Sequence, residues 1–139
     1  MSFVKLWVHL VFSTKNREPN LTTEIRRRLI EHIKANAREK GIYVDEINGW
    51  SEHLHLLISI GKEQSIAKIA MLVKGESAHW LNEQQIIRGK FYWQDDYYAV
   101  SVSPSKYEEV KEYIKNQEQR HTVKPFTSEA AAFSKITSF

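Results

Sequence analysis

The chain has 139 residues, a formal net charge of +3, 42% hydrophobic and 27% charged residues, and no cysteine. That length suits one domain, residues 1–139, able to bury a core without a disulfide or a structural metal. The missing thiols exclude Cys-ligated zinc, iron-sulfur ligation and a disulfide scaffold and fit a reducing cytoplasm, so any metal must take nitrogen and oxygen ligands.

The stretch Met1 to Phe12 carries Lys5 as its one charge, but it is far too short to cross a bilayer and no small-residue cleavage site follows. An unsecreted, cytoplasmic protein without a membrane partner is expected. From Phe3 to Ser13 the residues alternate, with Val4, Leu6, Val8, Leu10 and Phe12 on one side and Lys5, Trp7, His9 and Val11 on the other, which predicts a strand with one core face. A helix follows, with Thr22 as N-cap, Ile25, Leu29, Ile33 and Ala37 recurring at i+4, and Gly41 closing it. The strand Ile42 to Ile47 then turns at Asn48-Gly49 into the strand that begins at His53.

Gly61 ends that strand, and Ile66, Ile69, Ala70, Val73 and Leu81 mark a second helix that carries Lys74 and His79. A polar loop with Arg88, Gly89 and Lys90 leads to extended segments at Phe91-Tyr92-Trp93 and from Tyr97 to Val102. Ser103-Pro104, an N-cap followed by proline, starts a third long helix that runs to about Gln119. Farther on, Ser128 to Phe133 reads as a short final helix. The order predicts an α+β fold, a ferredoxin-like βαββαβ antiparallel sheet with helices on one face, followed by a C-terminal helix. Trp7, His9, His53 and His55 would then share the exposed face of the sheet.

His53-Leu54-His55 is the pattern richest in chemistry. Residues i and i+2 of a strand point the same way, with Cα atoms about 6.6 Å apart, so both imidazoles reach one divalent ion. Leu54, Leu56, Ile58 and Ile60, at the opposite parity, are uniformly apolar and should pack on helices. The plainer reading is a pair of satisfied strand histidines. On the third helix Tyr113 and Gln117 stand at i and i+4, about 40° apart around the axis, while Tyr107 lies about 240° from Tyr113 and should face elsewhere. A phenol with an amide oxygen one turn away suits a nucleophile beside a hard metal ligand around Mg²⁺ or Mn²⁺. Tyr113 alternatively extends the core stripe of Val110 and Ile114.

His9-Leu10-Val11-Phe12-Ser13-Thr14-Lys15-Asn16-Arg17, His53-Leu54-His55-Leu56-Leu57 and Leu72-Val73-Lys74-Gly75 are followed in order by Phe91-Tyr92-Trp93-Gln94-Asp95, Ala99-Val100-Ser101-Val102-Ser103 and Tyr113-Ile114-Lys115-Asn116-Gln117-Glu118. In order and spacing these resemble the single-tyrosine HUH transposases of small bacterial insertion sequences, whose relatives include the transposases associated with repetitive extragenic palindromes. The resemblance covers nearly the whole chain. It implies that His53, His55 and Gln117 bind Mg²⁺ or Mn²⁺ and that Tyr113 attacks single-stranded DNA at hairpin-marked element ends. A 5′-phosphotyrosine and a free 3′-OH would result, and reversal with another 3′-OH would rejoin strands without a nucleotide cofactor. It also implies a homodimer, often with the tyrosine helix of one subunit completing the other's site. Glu52 stands where relatives often have Asp, and Arg120-His121 where a pair of histidines is frequent.

Three other readings remain open: a domesticated protein that binds DNA hairpins without cleaving them, an HUH replication initiator or relaxase, and a small ferredoxin-like protein with no nucleic-acid role. Initiators and relaxases usually carry extra domains or a second tyrosine at i+4, the position of Gln117 here. Arg26, Arg27, Arg28 and Lys34 on the first helix, with Lys74 on the second, are candidate phosphate contacts, although a charged stretch equally makes a solvated helix face. Trp50, Trp80 and Trp93 are candidates for stacking unpaired bases or for core packing.

Overall fold

A computed structural model describes residues 2–121. The helix expected at Ser128 to Phe133 lies outside the described residues.

Four strands, β1 (Leu6–Ser13), β2 (Tyr43–Trp50), β3 (His53–Ile60) and β4 (Tyr98–Val102), form one sheet in the order β2-β3-β1-β4. Each adjacent pair is antiparallel. Helices α1 (Thr23–Glu39) and α2 (Ile66–Gln84) make the two crossovers, so the expected βαββαβ order and antiparallel sheet are observed. Thr22 accepts from the Ile25 amide as the N-cap of α1, and Gly41 sits just beyond the helix at φ 70°, where a Cβ would be strained. Ser65 caps α2 by accepting from the Lys68 amide.

One sheet face presents Leu10, Phe12, Leu54, Leu56 and Ile58 to Leu29, Ile33 and Ala37 of α1 and to Ile69, Ala70, Val73 and Leu81 of α2. This is the main core, and Phe91 and Trp93 close its edge. The expectation that Leu54, Leu56 and Ile58 pack on helices holds.

The opposite face differs from the expectation, because it is not exposed. Val11, Leu57 and Val102 there meet Val110, Tyr113 and Ile114 of α3 (Tyr107–Lys115), with Trp7 and Tyr107 at the margin. The third helix folds back over the histidine-bearing face, because Val110, Tyr113 and Ile114 form an apolar stripe that needs a partner and Val11, Leu57 and Val102 supply one. Tyr107 also packs there, its ring 4.7 Å from that of Trp7 and its hydroxyl donating to Asp45 over 2.7 Å. Its phenol is long enough to reach the sheet from the first residue of the helix, which helical angle alone does not reveal.

Three further details depart from expectation. The hairpin turns at Ser51-Glu52, since Trp50 pairs with His53, and Asn48-Gly49 lies within β2. A Cβ at Gly49 would collide with the His53 carbonyl oxygen and would meet the Leu54 Cα at 3.0 Å, so glycine serves a close strand approach there. Phe91 to Trp93 forms no strand and contributes a single bridge from Trp93 to Thr14. Among the described residues the helix expected from Pro104 to Gln119 is divided into a 3-10 turn (Pro104–Lys106), α3 and α4 (Gln117–His121), with the break at Asn116.

Candidate active site

The site lies where α3 and α4 pack over β2 and α3 reaches β3. His53 and His55 project from one face of β3, and both are buried. The turn before them is fixed from outside, because the Thr14 amide donates to the Glu52 carbonyl over 2.8 Å and the Leu21 amide to that of Ser51 over 3.0 Å.

Each histidine has a neighbour that orients its ring. Glu52 Oε1 lies 2.9 Å from His53 Nδ1. The hydrogen bond from His53 holds the Glu52 carboxyl below its ordinary range against the opposing effect of burial, and the nearby Arg17 and His121 help. A carboxylate accepts and cannot donate, so Nδ1 carries the proton of this pair and Nε2 is left facing Gln117. His9 Nε2 lies 2.9 Å from His55 Nδ1, so the β1 histidine holds the β3 ring by its near nitrogen. His9 was expected on this face, but its contact with His55 was not foreseen. The signal was its parity on β1, shared with Val11, the partner of His55.

Gln117 is fully buried and comes to the histidines from the start of α4. Its Nε2 donates to the Tyr113 carbonyl over 3.3 Å, which turns Oε1 toward His53 Nε2, 3.3 Å away. The ring nitrogen and the amide oxygen thus face each other inside the fold, on the side of β3 that also carries His55. Two imidazole nitrogens and an amide oxygen make a donor set that fits a hard or intermediate divalent ion. Among the described residues no group of three His, Cys, Asp or Glu side chains is poised for a metal, so the set depends on the Gln117 amide.

Tyr113 is 2% exposed, with ring centroids 5.7 Å from His55 and 6.1 Å from His9. The Arg120 guanidinium lies over its ring at 4.2 Å. The structure therefore brings Tyr113, His53, His55 and Gln117 together, and adds Glu52, His9 and Arg120 around them.

The sequence model of the IS200-like transposases matches residues 2–117. The chain belongs to the IS200-like transposase family. It is 25% identical over 121 residues to the ISDra2 transposase TnpA of Deinococcus radiodurans, a match covering 84% of this chain and 86% of that protein. A crystal structure of a Deinococcus radiodurans R1 protein assigned as a transposase superposes with a TM-score of 0.67 at 25% identity, over 84% of this chain and 93% of that one. The REP-associated tyrosine transposase bound to a REP hairpin shares the fold, with a TM-score of 0.65 at 15% identity over 87% of this chain and 72% of that one. Among the described residues of this transposase no helix is long and apolar enough to cross a membrane.

The basic residues expected at phosphates divide into two groups. Arg26 does not fit that role, since its side chain is 2% exposed and is engaged with the Leu21 carbonyl and Glu118. Lys74 is also committed within the fold: its ammonium donates to the carbonyls of Gln94, Asp95 and Asp96 at 2.7, 2.9 and 3.2 Å. Burial lowers its pKa, while Asp95 and Asp96 oppose the shift. Arg27, Arg28 and Lys34 are exposed and keep their heads at the surface. Of the tryptophans, Trp93 is core and donates to Ser77 Oγ, Trp80 stacks on His32 at 4.3 Å, and Trp50 stacks on His121 at 5.4 Å.

Proposed function

We propose that this chain cleaves and rejoins single-stranded DNA at hairpin-marked ends, with Tyr113 as nucleophile. The observation that carries the reading is the convergence of Tyr113, His53, His55 and Gln117 from two distant segments into one buried cluster. An interior phenol beside paired imidazoles is costly to assemble for packing alone, because each buried polar group must be matched.

The Tyr113 oxygen attacks the phosphorus of a phosphodiester. An O–P bond forms to the tyrosine, the phenol proton leaves to solvent, and the P–O3′ bond breaks with its electron pair going to O3′, which takes up a proton. The products are a 5′-phosphotyrosine and a free 3′-OH. Since the phosphodiester energy is kept in the covalent link, another 3′-OH reverses the step and joins strands without nucleotide hydrolysis. His53, His55 and Gln117 would hold Mg²⁺ or Mn²⁺, which when bound polarises the scissile phosphodiester. Glu52 and His9 keep the two imidazoles turned toward that position. Arg120, whose guanidinium lies 4.2 Å from the centre of the Tyr113 ring, would favour the ionised phenol by its positive charge.

Hairpin recognition is supported by the structural neighbour described as bound to a REP hairpin. A homodimer belongs to the same proposal. Arg27, Arg28 and Lys34, exposed on α1, are the phosphate contacts in this reading. The test is to incubate the protein with Mn²⁺ and labelled hairpin DNA from the flanks of its gene, then sequence the adduct by mass spectrometry. A DNA-linked peptide containing Tyr113 is expected. Binding with no adduct would instead favour the domesticated hairpin-binding protein.

A further inference from the structure

We propose that Arg26 is a positioning residue for this site: by holding Glu118 it latches α4 onto the sheet and so sets Gln117 against His53. The inference rests on the functional reading only for what the site does, because the latch itself is a property of the fold.

Among the described residues α4 runs over Gln117–His121 and follows the break at Asn116. The break ends the regular path of α3, so α3 alone does not set the direction in which α4 starts. At that start the Arg120 amide donates to the Asn116 carbonyl over 3.0 Å. Contacts with the rest of the fold fix the direction, and with it the place of Gln117, the first residue of α4.

Arg26 supplies one such contact from far along the chain. One guanidinium nitrogen donates to Glu118 Oε2 over 2.9 Å, across 92 positions of sequence, and the other to the Leu21 carbonyl over 2.8 Å. The plane also lies 5.1 Å from the Trp50 ring. A guanidinium buried this deeply is tolerated only when paired, and the carboxylate of Glu118 is its ionic partner among the described residues. The fork is also held rigidly, because the Leu21 amide is bonded to the Ser51 carbonyl in the turn leading to His53. Trp50 closes the arrangement by stacking on His121, whose ring is 4.8 Å from that of His53. Arg26 thus joins the start of α1, the β2–β3 turn and α4, the last two of which carry His53 and Gln117. Arg27, 71% exposed and 3.8 Å from the same carboxylate, is too solvated to replace it.

Glu118→Ala and Arg26→Lys test the latch, with Arg38→Ala, exposed in the last turn of α1, as control. Three measurements are made: amide hydrogen exchange over 117–121, the His53 Nε2 chemical shift in metal-free protein, and Mn²⁺ affinity by calorimetry. Both latch variants should exchange α4 about tenfold faster, move the His53 resonance and bind Mn²⁺ about tenfold more weakly, while Arg38→Ala changes none of these. A merely global role would lower the melting temperature and leave native-state α4 exchange and His53 untouched, which would overturn the proposal. Glu118 is partly exposed, so its variant still reports if Arg26→Lys fails to fold. If the parent protein binds Mn²⁺ no better than His53→Ala, the metal assignment fails, whereas exchange and the His53 shift still decide the latch.

Discussion

His53 and Gln117 stand 64 positions apart in sequence, yet His53 Nε2 lies 3.3 Å from Gln117 Oε1. The contact forms where the C-terminal helix breaks at Asn116 and restarts with Gln117. Around it each partner is fixed from behind, His53 by Glu52 and Gln117 by the Tyr113 carbonyl. Such outer contacts set which atom of a ligand faces a metal.

Removing a ring nitrogen should therefore cost more than removing the amide. His53→Ala is expected to abolish measurable Mn²⁺ binding in calorimetry, Gln117→Ala to weaken it about tenfold, and Gln117→Glu, which keeps an oxygen in place, to retain it. Equal affinities across the three variants would show that the ion sits elsewhere.

Glu52 acts one step behind His53. Glu52→Gln should weaken Mn²⁺ about 10- to 100-fold, as loss of such an orienting partner commonly does. Its folded pKa is depressed from the ordinary 4.5 by the His53 hydrogen bond. The stability it adds is thus complete above about pH 4.5 and is lost as pH falls through the lower folded value. Acid unfolding monitored by circular dichroism should show a shallower pH dependence in Glu52→Gln. An unchanged acid limb would contradict the pairing.

At the other end of α3, Tyr107 donates to Asp45, a carboxylate that also accepts from Ser59. Burial first, and the Asp45 hydrogen bond second, push its pKa up to about 12. A raised phenol pKa adds stability that is full below the ordinary 10 and is lost as pH climbs toward 12. In an ultraviolet titration a tyrosine step near pH 12 should be missing from Tyr107→Phe.

The divided basic residues make a salt-dependence prediction. Arg27→Ala and Lys34→Ala should each reduce the slope of log affinity for hairpin DNA against log salt by about one. Lys74→Ala should leave the slope unchanged and instead speed exchange of the backbone near Gln94 to Asp96, which its ammonium ties down.

The strands, helices and their order were legible because alternation at period two and the Ile25-Leu29-Ile33-Ala37 stripe are direct consequences of one-sided burial. The pairing of His53 with His55 was legible for the same reason. Asn48-Gly49 misled, since a dipeptide that favours turns is used here for other ends: Asn48 donates to the Lys115 carbonyl over 3.0 Å, and Gly49 admits the neighbouring strand. The burial of the histidine face, the His9–His55 contact and the engagement of Arg26 depend on how α3 and α4 fold back. Local periodicity carries no information on that packing. Arg26 looks like its exposed neighbours Arg27 and Arg28 in sequence, and only its place on the buried side of α1 separates them.

The central claim is that Tyr113 makes the covalent bond to DNA, and its most direct measurement is adduct formation by Tyr113→Phe with labelled hairpin DNA and Mn²⁺. Phenylalanine keeps the ring among His9, His55 and Arg120, so folding and DNA affinity should match those of the parent. The account predicts retained binding with no covalent adduct and no cleavage. An adduct formed by Tyr113→Phe at the parental rate would contradict it.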